Sequence, residues 1–170
     1  LAKIVLSNGG AVFGAAYDAQ FQVIHICVEN EHDLSKLRGA KYAQSNLLNS
    51  FADARDRLEK GQYVLFSGTP CQIAGLKRLL KKEYHNLTTV DFVCHSVPSP
   101  MAWHEYVRYR AEQDNDGELP TSINLRSKKT GWSRYQYSNL FEYANSPNHV
   151  VKSNESLYMK LFVGGYINRE

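Results

Sequence analysis

The segment from Gln62 to Cys94 constrains this chain more than any other. Tyr63-Val64-Leu65-Phe66 is a short apolar run of the kind that forms a buried strand. Gly68-Thr69-Pro70-Cys71-Gln72 follows as a loop that turns into a helix. Thr69 and Gln72 give the T-x-x-Q capping pattern, and Pro70 fills the first helical position. Ile73, Leu76 and Leu80 then recur on one helical face to about Lys82. Thr88 to Val93 reads as a second buried strand, ending at Cys94-His95. Strand, helix and strand together occupy 33 residues. That is the size of a βαβ unit, whose strands are parallel and whose crossover is right-handed.

This topology puts Cys71 and Cys94 at the carboxyl ends of their strands, the edge at which open α/β sheets bind ligands. If the strands are neighbours, about 4.8 Å apart, the two thiols lie close together; a third strand between them would separate them. Cys71 also falls in the first turn of its helix. Free amide N–H groups and the positive end of the dipole favour a thiolate there. A thiolate serves a metal, a cluster iron or a nucleophilic reaction. The same turn would equally suit a phosphate. Against this stands the plain reading that a cysteine after a strand is a small buried side chain. Packing is the better account of Cys27, in mid-strand. His95 is as readily a loop histidine as a ligand, and Lys41 taken alone is a solvated surface lysine.

Other elements read less sharply. Residues 10–17 and 21–29 form two strands with a hairpin turn at Asp18 to Gln20. In the second, Ile24, Ile26 and Val28 alternate with His25, Cys27 and Glu29, which puts Cys27 on the more polar side. Asp33 caps a short helix ending near Arg38-Gly39. A helix runs from Ser50 to Lys60, with Ser50 and Asp53 as a capping pair, Phe51, Ala54 and Leu58 on one face, and Gly61 as a left-handed cap. Pro98-Ser99-Pro100 opens a helix aligning Trp103, Tyr106, Val107 and Arg110, and Asp114 to Gly117 breaks it. Strands are expected at Thr121 to Arg126, Tyr135 to Ser138 and Phe141 to Tyr143, the tyrosines at half-buried spacing. A last short helix runs from after Asn154 to about Phe162. The expectation is one α/β domain: a mixed sheet with a parallel βαβ core at about 62–94, flanking helices, and a β-rich C-terminal third at about 120–152.

Composition sets limits on function. The 170 residues are 43% hydrophobic and 22% charged, enough for an ordinary core. A net charge of +3, with scattered basic residues, argues against nucleic acid as a partner. No apolar run reaches the roughly 18 residues of a membrane span. No signal-peptide pattern opens the chain, so the expectation is cytoplasmic. Leu1 and Glu170 read as the ends of a piece of a longer protein. Three cysteines, an odd number, favour free thiols or ligands over disulfides.

Four segments resemble one known family. Lys36-Leu37-Arg38-Gly39-Ala40-Lys41-Tyr42-Ala43-Gln44-Ser45 resembles its L-R-G-S-K-Y-x-Q-S segment. Val64 to Leu76 resembles its V-L-F-x-G-T-P-C-Q-x-A-G-L signature. Val90 to Pro100 resembles V-D-x-x-C-H-G-V-P-S-P, and Lys128-Lys129-Thr130-Gly131-Trp132 resembles K-K-T-G-W. The family is that of the coenzyme F420 hydrogenase/dehydrogenase beta subunits. The resemblance implies an α/β oxidoreductase with FAD and a 4Fe-4S cluster, passing electrons between the cluster and a hydride carrier, either F420 or another small molecule. It implies Cys71 and Cys94 as cluster ligands, with two more from a later Cys-x-x-Cys segment. It places Gly39, Lys41, Gln44 and Ser45 near the flavin, with the Gly68 and Thr69 backbone close to it. A redox partner protein or a ferredoxin-like module is implied as well. These residues by themselves are expected to hold neither cofactor and to be inactive alone. Ser96 departs from the family's glycine, which puts the local backbone in question. Two alternatives remain: a non-catalytic zinc–thiolate scaffold, and thiol catalysis with Cys71 as nucleophile and His95 as base.

Overall fold

The computed structural model describes residues 1–133 and 136–168. The chain divides into two compact units, Leu1–Asp18 with Val23–Arg38 and Ser45–His95, and Ala19–Gln22 with Gly39–Gln44 and Ser96–Glu170.

The first unit is built on a four-stranded sheet of order β2-β1-β3-β4. Strands β1 (Ala11–Tyr17) and β2 (Val23–Val28) form an antiparallel hairpin, as the sequence predicts. Strand β3 (Val64–Gly68) lies parallel to β1 and to β4 (Leu87–Asp91), and helix α3 (Pro70–Leu80) makes the crossover. The predicted parallel βαβ unit is therefore present.

Both faces of the central strands are covered, which is why Val64-Leu65-Phe66 reads as an unbroken apolar run. On one side Phe13, Val64 and Phe66 pack with Ala54 and Leu58 of α2 (Ser50–Glu59) and with Ile73, Leu76 and Leu80 of α3. The Phe13 and Phe66 rings stack 5.4 Å apart. On the other side Val12, Val28 and Leu65 pack with Leu6 of α1 (Ala2–Ser7) and, more peripherally, with Leu34 and Leu37 of a 3₁₀ turn (Asp33–Leu37).

Three details correct the sequence reading. Strand β4 is a half-buried edge strand, not a buried one. It ends at Asp91, so Phe92 and Val93 leave the sheet and are exposed. Ser50 does not cap α2: it is the first helical residue, and its hydroxyl donates to the His25 carbonyl at 3.2 Å. The His25–Cys27 side of β2 is not the polar side either. His25 is buried, its ring 5.4 Å from that of Phe66, and Cys27 packs against the α2–α3 core. Gly61 does take the left-handed conformation expected of a helix terminator, at φ +80°.

The second unit holds α4 (Pro100–Asp114) and a separate antiparallel sheet of order β5-β6-β7. Its strands are β5 (Ser122–Ser127), β6 (Ser138–Glu142) and β7 (His149–Lys152), followed by α5 (Leu157–Val163). Trp103, Tyr106 and Val107 form the buried face of α4, and Tyr106 stacks on Tyr158 of α5 at 5.0 Å. Trp103 donates its indole N–H to the Phe21 carbonyl at 2.7 Å. Strand β7 is not among the strands that the sequence predicts. The expected strand residue Tyr135 lies outside the described residues. No helix among the described residues is long and apolar enough to cross a membrane.

Candidate functional site

Strands β3 and β4 are hydrogen-bonded neighbours, with Ser67 opposite Val90 and Gly68 opposite Asp91. No strand intervenes, so the condition for the two cysteines to share an edge is met. The chain leaves both strands at one level of the register. Cys71 and Cys94 each follow the last paired residue by three positions. Both are reduced and outside any disulfide; Cys71 is exposed and Cys94 is half-buried. Cys27 is the third reduced cysteine, and burial raises its thiol to about 11. That suits a packed side chain and not a ligand.

The turn that presents Cys71 is held from several sides within the first unit. Gln72 Oε1 accepts the Thr69 backbone N–H at 3.0 Å, so the predicted capping pair forms. The other end of the same amide, Nε2, donates to Ser45 Oγ at 2.9 Å. One side chain thus ties Ser45 to the start of α3. Gly68 makes this possible: a Cβ there would stand 3.0 Å from Gln72 Oε1 and 3.3 Å from Gln72 Cβ. The Thr69 hydroxyl lies 3.0 Å from Cys71 Sγ. Behind the turn, His25 Nε2 donates to the Ser67 carbonyl at 2.9 Å, and Ser67 Oγ donates to the Phe13 carbonyl at 3.0 Å. Burial lowers the pKa of His25, which keeps the ring neutral.

Of the predicted cofactor residues, Ser45, Gly68 and Thr69 therefore gather around the Cys71 turn. Gly39, Lys41 and Gln44 belong to the second unit. Gly39 needs its positive φ of +85°, while the space beside it is open. Lys41 is half-buried, and that burial lowers its pKa to about 8. Its ammonium donates to the Gly39 carbonyl at 3.3 Å. Gln44 donates its backbone N–H to Pro98 O at 3.0 Å. His95 is exposed. Ser96 takes φ +124°, a conformation that costs an L-residue energy, at the second position after Cys94.

Sequence reasoning missed the double role of Gln72 and the buried position of His25. The T-x-x-Q spacing flags Gln72 as a cap. Nothing local in the sequence announces its bond to Ser45, 27 residues away.

Residues 61–131 match the family model for the C terminus of the coenzyme F420 hydrogenase/dehydrogenase beta subunit. Over that segment, the chain is similar to this beta-subunit family. A solved structure of the xenon-derivatised F420-reducing NiFe hydrogenase complex from Methanosarcina barkeri aligns with a TM-score of 0.56 at 16% identity. The alignment covers 97% of this chain and 53% of the other, so the chain spans about half the length of that relative. At this identity the likeness is one of fold. No curated protein matches the chain. The family-matched segment includes the whole βαβ unit and both edge cysteines.

A four-iron cluster needs four ligands. Among the described residues, no three or more His, Cys, Asp or Glu side chains are grouped to hold a metal. The Cys71–Cys94 edge supplies two free thiols.

Proposed function

We propose that this chain is part of an oxidoreductase of the F420 hydrogenase/dehydrogenase beta-subunit type, with Cys71 and Cys94 as two of four thiolate ligands to a 4Fe-4S cluster. The observation that carries this reading is the paired exit of the two cysteines from adjacent parallel strands. Soft thiolate donors suit iron–sulfur chemistry, and the exposure of Cys71 leaves it open to a cluster. The other two ligands would come from outside the described residues.

The flavin assignments belong to the same proposal. Gly39, Lys41, Gln44, Ser45, Gly68 and Thr69 would bind FAD. Such a flavin exchanges a hydride with a carrier, F420 or another small molecule, and single electrons with the cluster. Lys41 would hold positive charge against the flavin's phosphates or its reduced ring. An anion beside it would raise its lowered pKa again and keep it protonated through neutral pH. Gln72 would fix Ser45 and the Cys71 turn with respect to each other. A redox partner protein would deliver or remove the electrons.

The test is anaerobic reconstitution of the full-length protein, read by visible absorption and by iron, sulfide and zinc analysis. The expected result is a broad iron–sulfur band with flavin peaks, and loss of that band in Cys71→Ser and Cys94→Ser. Zinc at unit stoichiometry without iron or sulfide would replace this reading with a zinc–thiolate scaffold.

A further inference from the structure

We propose that Thr69 is a positioning residue for the cluster ligand Cys71, its hydroxyl donating a hydrogen bond to the cysteine sulfur and raising the cluster's reduction potential. This inference rests on the reading of Cys71 as a cluster ligand. Its own observation is the contact of 3.0 Å between Thr69 Oγ1 and Cys71 Sγ. In the free thiol either atom can donate. A cluster-bound sulfur carries no proton, so there the hydroxyl is the donor.

The surroundings favour a bond that persists. Thr69 is 8% exposed, so little water competes for its hydroxyl, while Cys71 beside it is exposed. The Thr69 backbone is fixed by Gln72 Oε1, and Gln72 is fixed in turn by Ser45.

The consequence is electrostatic. One-electron reduction adds one negative charge to the cluster and its ligands, with no bond made or broken in the protein. A donor aimed at a ligand sulfur stabilises the more negative state, and hydrogen bonds to the sulfurs are among the determinants of cluster potential. Thr69 therefore makes the cluster easier to reduce.

The experiment is a dithionite titration of the reconstituted full-length protein, wild type against Thr69→Val and Thr69→Ser, followed by the electron-paramagnetic-resonance signal of the reduced cluster. Valine keeps the shape and removes the donor; serine keeps the donor. The bond from the residue-69 N–H to Gln72 Oε1 survives in both, because it uses backbone, and serine also keeps the hydroxyl that accepts the Gln72 N–H. The expected result is a more negative midpoint potential in Thr69→Val and a wild-type potential in Thr69→Ser. Equal potentials in wild type and Thr69→Val would overturn the inference while leaving the cluster assignment intact. So would a serine variant as negative as the valine one. Should Thr69→Val lose its cluster, Thr69→Ala removes the same hydroxyl with a smaller side chain, and the same comparison decides. Absence of any cluster in the wild type would overturn the functional reading, and this inference with it.

Discussion

The two sheets of this protein bury their central strands by different means. In the first unit, β3 is covered on both faces by apolar side chains, and Val64 and Phe66 are fully buried. In the second, β6 is just as buried, but Ser138 and Asn139 are among its buried residues. Asn139 Nδ2 donates to the Leu125 carbonyl at 2.8 Å. That carbonyl lies where the β5–β6 register shifts between Asn124 and Ser127. The amide thus reaches an acceptor inside the irregular stretch of the ladder. One sheet is held mainly by apolar volume, the other partly by a polar patch. An unbonded buried carbonyl costs free energy in proportion to its lost solvation.

The sharpest way to break this contrast is to remove volume from the first sheet. Phe66→Ala should cost about 3–5 kcal/mol in a urea titration. A loss below about 1 kcal/mol would mean that the stacked Phe13–Phe66 core contributes little. The matching change in the second sheet is Asn139→Ala. It removes few atoms, yet should cost about 1–3 kcal/mol by leaving the Leu125 carbonyl unsatisfied. A neutral result would show that the bulge does not depend on the amide.

Acid sharpens the comparison further, because among the described residues each unit carries one histidine with a lowered pKa. His25 is lowered by burial. His149 is lowered by burial and then by Arg110, whose guanidinium lies 2.9 Å from Nδ1. Above the ordinary value of about 6.5 both rings are neutral, folded or unfolded, and contribute no pH dependence. As pH falls through that value, the unfolded chain takes up protons that the folded chain refuses, so stability declines. Histidine titrations followed by NMR should show both rings titrating below the ordinary histidine value. His25→Gln should remove its share of the acid slope in thermal melts, leaving that of His149. The smallest effect expected is a gain: Ser96→Gly should relieve the φ +124° strain and stabilise the protein by roughly 1 kcal/mol. An unchanged melting temperature would show that Ser96 bears no net strain.

The same contrast explains what the sequence makes legible. The βαβ unit stands out because periodicity, capping and length agree over Val64 to Val90, and the second strand of the first hairpin carries the period-two pattern. The end of β4 is misplaced because Phe92 and Val93 have strand-like side chains but lie on an exposed exit. In the second unit, Asn139 weakens the strand signal near the start of β6. Strand β7 is four residues alternating half-buried and exposed, too short for pattern to decide. At the candidate site, the neighbouring strand ends are foreseeable from topology. The Gln72–Ser45 tie and the neutral His25 are not, since both depend on partners distant in sequence.

The edge position of β4 has a consequence for handling the protein. Its outer row of amides and carbonyls has no strand neighbour among the described residues. Leu87-Thr88-Thr89-Val90-Asp91 carries neither lysine nor proline, the usual deterrents to strand capture between molecules. Asp91 alone supplies a deterring charge. Concentrated solutions should therefore turn cloudy first through this strip, and a lysine at position 88 or 89 is the natural solubilising change.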